Sequence, residues 1–119
     1  GAVLINYTLQ FLSPETRRTL LNKVYRALRP GGILILSEKT TSPHATIRST
    51  YEDIYLDFKK KQGYSETEIA RKRRALENIL VPFTFQDNIR IMEESGFSGV
   101  ESFFQWFNFA SFLGLKETR

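Results

Sequence analysis

The chain has no cysteine. That excludes a disulfide framework, a thiolate metal site and a cysteine nucleophile, and it fits a reducing cytoplasm. No apolar run approaches the ~20 residues a bilayer needs, so no transmembrane span is expected. No charged-then-apolar leader opens the chain either. There is one histidine, His44. It stands in a polar stretch without an evident partner, reads as a surface residue, and leaves no metal site to expect. Charge of one sign is in short supply: 17 Lys and Arg against 13 Asp and Glu give +4 over 119 residues. This is compatible with an anionic small molecule or RNA, but falls far short of a polybasic arm. Repeats, low-complexity stretches and linkers are missing. What is present is a core-forming composition, 41% hydrophobic with ten Phe and five Tyr. That is enough apolar surface to exclude a disordered tail.

The pattern along the chain is α/β. Ala2-Val3-Leu4-Ile5 is a continuous apolar run of the kind found in strands buried on both faces of a parallel sheet. Ser13-Pro14-Glu15 opens a helix, with Ser as N-cap, Pro at the first position and an acid in the first turn. Leu20, Leu21, Val24 and Leu28 make its apolar face, with Arg17, Arg18, Lys23 and Arg26 mostly off it. Arg29-Pro30-Gly31-Gly32 ends it. Ile33 to Leu36 is a second apolar run, closing at Ser37-Glu38. Together these read as a right-handed βαβ unit with both strands central and parallel. Lys39 to Ala45 reads as a loop. Helical spacing resumes from Thr46 to Lys60, and Ser65-Glu66-Thr67-Glu68 is a capping box for a helix with Ile69, Leu76 and Ile79. Thr84 caps a last helix and Gly96 stops it. Phe97 to Phe107 and Phe109 to Leu115 predict a terminal antiparallel hairpin. Its aromatics are expected in the core on both sheet faces rather than as a base-stacking platform. Lys59-Lys60-Lys61 reads as a solvated run, with contact to an anionic partner as the alternative.

The turn Leu28-Arg29-Pro30-Gly31-Gly32-Ile33-Leu34 and the late Gly96-Phe97 resemble the carboxy-terminal half of the Rossmann-like class I S-adenosylmethionine-dependent methyltransferase fold. Within it, a closer likeness is carried by several blocks. They are Asn6 to Leu12, Leu36 to Lys39, Asp57 to Lys59, Gly63 to Glu66, Lys72-Arg73, Leu76 to Asn78 and Phe104 to Phe109. In order and over nearly the whole chain, these resemble the carboxy-S-adenosyl-L-methionine synthase family. The expected architecture is a single partial domain over 1–119: two parallel strands, a terminal antiparallel hairpin, and a helical insertion over about 46–80. The resemblance implies an enzyme that converts S-adenosylmethionine and prephenate to carboxy-S-adenosylmethionine and phenylpyruvate, for a partner that carboxymethylates the wobble uridine of tRNA. It also implies a cytoplasmic homodimer that neither binds nucleic acid directly nor enters a membrane.

The resemblance places the cofactor-contacting Asn on Asn6, and the Arg that pairs with the product's new carboxylate on Arg73. Asn6 follows the first strand, where open α/β sheets hold their ligands, and its amide both donates and accepts. Arg73 shares a helix side with Ile69 and Leu76 and offers a guanidinium, which grips carboxylates bidentately. Tyr7, Gln10, Glu38 and Tyr64 are substrate-pocket candidates. Glu38 has the alternatives of capping a backbone group or pairing with Lys39, and Tyr64 that of a packed hinge aromatic. No catalytic residue is assigned.

A glycine-rich loop after a first strand, and an acid for the ribose, do not occur in this sequence; Pro30-Gly31-Gly32 is a helix-to-strand turn at the opposite edge. The fragment alone is therefore expected to bind S-adenosylmethionine weakly and to be inactive. An oligomer is expected from the apolar edge at Ala2–Ile5 and the basic insertion. Two other readings stand beside this one: a methyltransferase of another substrate, and a non-catalytic dimerisation or docking remnant.

Overall fold

The two aliphatic runs pair in parallel. β1 (Ala2–Asn6) lies beside β2 (Ile33–Thr41), with Ala2 opposite Ile33 and Asn6 opposite Ser37. The structure is a computed structural model that describes residues 1–76 and 81–118. Between the two strands runs α1 (Pro14–Ala27), opened as expected by Ser13, whose hydroxyl accepts the Thr16 N–H at 3.2 Å. The chain leaves α1 through Gly31 at φ +87°, a left-handed conformation that favours glycine. Then follow α2 (Ala45–Lys61), α3 (Glu66–Leu76), the two-residue β3 (Phe83–Thr84), α4 (Phe85–Glu94), β4 (Ser98–Trp106) and β5 (Phe109–Leu115). The expected continuation of α3 through Ile79 falls on residues 77–80, outside the described residues.

The sheet order is β1-β2-β5-β4, with β5 antiparallel to both neighbours and β3 added in parallel at the far end of β2. Along β2 and β5 alternate residues are buried, as period-two geometry requires. Leu34, Leu36, Ala110 and Phe112 face Leu21 of α1 and Ile91 and Met92 of α4 in one apolar core. Each such large side chain taken from water contributes about 2 kcal/mol. The other face carries Ile33, Ile35, Leu113 and Leu115, all half-buried.

Four expectations need correcting. The central placement of β1 gives way to the apolar edge also expected at Ala2–Ile5: among the described residues it pairs only with β2, and Leu4 is 62% exposed. β2 does not stop at Glu38. β5 pairs with it as far as Lys39 and β3 pairs at Thr40 and Thr41, so Lys39–Thr41 is strand rather than loop. Arg17 is 2% exposed, not surface-facing. Its Nε donates to the Leu12 carbonyl at 3.0 Å, its Nη2 to the Val81 carbonyl, and its guanidinium lies 4.0 Å above the Phe83 ring centre. The aromatic stretch is not uniformly core: Phe112 is buried, while Phe103 and Phe104 are 60% and 54% exposed. Trp106 and Phe109 instead pack on α2, with Phe58 4.9 Å from Trp106 and Tyr55 5.1 Å from Phe109 between ring centres. His44 is exposed as expected, and it also caps α2 by accepting the Ile47 N–H at 3.5 Å.

Candidate functional site

A cleft of about 600 Å³ opens at the carboxyl end of β2. Its floor is the loop after β1 and the last residues of β2; its roof is one side of α2 and one side of α3; the β4–β5 turn closes it. Helical spacing explains the roof. Arg48, Tyr51, Tyr55 and Lys59 recur every three or four residues on α2, and Ile69, Lys72 and Arg73 share a side of α3.

The floor is built by buried polar groups. Glu38 is 2% exposed. Its carboxylate accepts the Leu9 N–H at 2.9 Å and the Gln10 N–H at 3.3 Å. It thereby caps the single turn Leu9–Phe11 and does not line the cleft. Burial raises its carboxyl above the usual range, against the opposing pull of these N–H groups and of Arg17. Gln10 accepts the Lys39 N–H through its side chain at 2.8 Å, and its carbonyl accepts the Val81 N–H at 2.7 Å. Tyr7 turns at φ +54°, a rare conformation for a residue with a side chain, and sets its ring 6.1 Å from Phe109.

The structure therefore brings Tyr7, Gln10 and Arg73 to one cleft. Asn6 is exposed at the end of β1, one residue before Tyr7, and is not part of the lining. Tyr64 lies outside the lining too, exposed, with the Lys59 ammonium 5.4 Å from its ring centre.

The lining residues that sequence reasoning did not place in a site include Lys39, Tyr55, Lys59 and Asn108. The two ammoniums lie 5.4 and 5.0 Å from the centre of the Tyr55 ring. Lys59 is thus half-buried in the cleft, not part of a solvated run. Its i, i+4 spacing to Tyr55 was the available signal. Asn108 is buried, and its Oδ1 has no hydrogen-bond partner among the described residues. Burial is the main cause that lowers the Lys39 ammonium's pKa, with Lys59, Arg73 and Lys72 adding to it and Glu52 opposing. Burial also raises the Tyr55 phenol, which stays neutral.

The cleft is strongly cationic. Lys39, Arg48, Lys59, Lys72 and Arg73 line it against one carboxylate, Glu52. The ion pairs among the described residues are Arg18–Glu94, Lys60–Glu66 and Arg90–Asp87, and none uses a cleft residue. Such a site suits an anion with an apolar body. Among the described residues that line it there is no glycine: the Gly31–Gly32 turn sits at the amino end of β2, away from the cleft.

Sheet order and helix placement are those of the S-adenosylmethionine-dependent methyltransferase fold. Among solved structures the chain is similar to the methyltransferase SibL in its apo form, with TM-score 0.63 and 20% identity over 98% of this chain and 30% of that one. It is likewise similar to human N-acetylserotonin methyltransferase in complex with SAM, with TM-score 0.63 and 14% identity over 98% and 29%. No family model matches the chain. In sequence it is similar to the carboxy-S-adenosyl-L-methionine synthase of Desulfotalea psychrophila, 51% identical over 116 residues, 98% of this chain and 47% of that protein. The synthase of Helicobacter hepaticus is 48% identical over 114 residues, 96% and 48%. The chain spans about half the length of the curated relatives it matches; its likeness to carboxy-S-adenosyl-L-methionine synthases is one of sequence and fits a carboxy-terminal half, while its likeness of fold is to S-adenosylmethionine-dependent methyltransferases.

Proposed function

We propose that this chain supplies the anion-binding half of a carboxy-S-adenosyl-L-methionine synthase. The whole reaction takes S-adenosylmethionine and prephenate to carboxy-S-adenosylmethionine and phenylpyruvate. Atoms balance when prephenate gives up its ring carboxyl as carbon dioxide and its hydroxyl leaves as water with a proton of the methyl group. The observation that carries the reading is the charge of the cleft, five cations to one carboxylate. S-adenosylmethionine bears a sulfonium, so such a lining favours the co-substrate rather than the cofactor. A dianionic co-substrate and a product with a new carboxylate both gain from it. In this reading Arg73 grips the carboxylate that moves, and Asn6 approaches the cofactor from the end of β1. Tyr7 and Gln10 shape the floor, Glu38 holds that floor in place, and Tyr64 screens Lys59. The product serves a tRNA carboxymethyltransferase acting on the wobble uridine, in the cytoplasm. Among the described residues no helix is long and apolar enough to cross a membrane.

Calorimetry on the chain tests the division of labour. Prephenate is expected to bind, and S-adenosylmethionine to show no micromolar affinity; the reverse order of affinities overturns the reading. For the chain joined to the rest of the fold, mass spectrometry after incubation with both substrates is expected to show a carboxylated cofactor. That product is lost in Arg73→Met. S-adenosylhomocysteine in its place would select a methyltransferase of another substrate.

A further inference from the structure

The cleft holds more cationic chemistry than one carboxylate requires. Arg73 is exposed on α3, and a fork-shaped guanidinium satisfies a single carboxylate by itself. Deeper in, Lys39 at the end of β2 and Lys59 in the last turn of α2 come to the same aromatic ring, their ammoniums 5.4 and 5.0 Å from the centre of Tyr55. Both lysines are half-buried. Neither enters an ion pair among the described residues. Like charges brought together repel; burial first, and after it the charge of Lys59, depresses the Lys39 ammonium. The Tyr55 ring face offsets part of that cost for each lysine, and an anion between them would reverse its sign. Close by, Asn108 lines the same cleft with a buried amide oxygen that has no partner among the described residues.

We infer that Lys39 and Lys59, gathered on the Tyr55 ring, form a second carboxylate subsite, separate from Arg73, that holds the side-chain carboxylate of the substrate throughout the reaction. The inference rests on the proposed function for the identity of that substrate. It divides the work chemically. Prephenate carries a ring carboxylate, which is transferred, and a side-chain carboxylate, which phenylpyruvate keeps. Arg73 follows the first and the lysine pair holds the second. Transfer can then proceed while the substrate stays anchored at one end.

The test uses the 119-residue chain and three probes: prephenate, phenylpyruvate and malonate. Calorimetry is expected to show phenylpyruvate binding weakened at least ~10-fold, about 1.4 kcal/mol, in Lys39→Met and in Lys59→Met. In Arg73→Met it is unchanged within ~2-fold. Prephenate is weakened by all three. Lys39→Arg and Lys59→Arg restore most of the affinity, which separates a charge role from a packing role. Circular dichroism identifies any variant that fails to fold, and the arginine variants then decide. If phenylpyruvate binds and the lysine variants leave it unchanged, the subsite is overturned while the proposed function stands. If malonate binds in a lysine-dependent way but prephenate and phenylpyruvate do not, the subsite stands and the substrate reading falls. If none of the three binds wild type at millimolar concentration, the subsite is overturned.

Discussion

Arg17 and Glu38 show how much of the site depends on two buried ionisable side chains that do not line the cleft. Arg17 ties the Leu12 carbonyl, at the start of α1, to the Val81 carbonyl, where the chain returns from the helical insertion. Glu38 ties the Leu9 and Gln10 N–H groups to β2. Removing one partner of buried charged hydrogen bonds leaves the other groups desolvated and unpaired. Arg17→Met is therefore expected to lower stability by about 3 kcal/mol in urea denaturation. Arg17→Lys should recover little, because an ammonium cannot serve two carbonyls and lie flat on Phe83. Glu38 makes a pH prediction. Burial raises its carboxyl above the unfolded value, so the folded chain holds that proton more tightly. Its contribution is complete below the ordinary carboxylate range and is lost as pH rises through the raised pKa. Thermal midpoints followed from about pH 4 to about pH 7 should fall for wild type relative to Glu38→Gln. Parallel curves for the two proteins would show that the folded and unfolded carboxyls do not differ.

At the scale of elements, what the sequence encodes within four residues was legible. The caps at Ser13, Ser65 and Thr84 all form, with the Glu68 and Asp87 N–H groups donating to the capping hydroxyls at 3.1 and 3.0 Å, though Glu68 accepts the Ser65 hydroxyl. The parallel pair, the insertion's helices and the final hairpin were also readable, because hydrophobic period and turn residues fix them locally. What was not readable depends on partners far along the chain. β2 runs to Thr41 because β5 and β3 offer it backbone, not because its side chains turn apolar. Ile5 is the one buried residue of β1 although the whole run is aliphatic, because burial is decided by what lies on either side. For the same reason Arg73 could be placed on a helix side, while Lys39 and Lys59, 20 positions apart, could not be placed on one ring. Gly96 illustrates a locally legible stop with a tertiary component. It adopts φ +111°, and a Cβ there would lie 2.8 Å from the Tyr25 ring, which packs edge-on against Phe97 at 5.1 Å. Gly96→Ala is expected to cost about 2 kcal/mol, and a thermal midpoint equal to wild type would show that neither strain nor ring contact matters.

The molecule as a whole is elongated, 52 × 26 × 24 Å, and leaves unlike surfaces open. One is the β1 edge, unpaired on its outer side among the described residues, with Leu4 exposed. The half-buried sheet face of Ile33, Ile35, Leu113 and Leu115 is also apolar. The third is the outer surface of α3, where Arg71 and Arg74 are exposed beside Lys72 and Arg73. We propose that the chain self-associates, and these surfaces make opposite predictions about how. Two copies of a basic helix repel, whereas an open apolar strand accepts a second strand through backbone hydrogen bonds. The edge therefore displaces the basic insertion as the favoured contact. Net charge of +4 opposes approach of two copies, and added salt screens it. Light scattering should then show a mass above the monomer's 13.8 kDa that rises with protein concentration and with salt. Leu4→Lys, which places a charge on the edge, should return the chain to monomer. Association that instead weakens with salt and survives Leu4→Lys would assign the contact to the charged helices, and a monomer at all concentrations would leave no role for either surface.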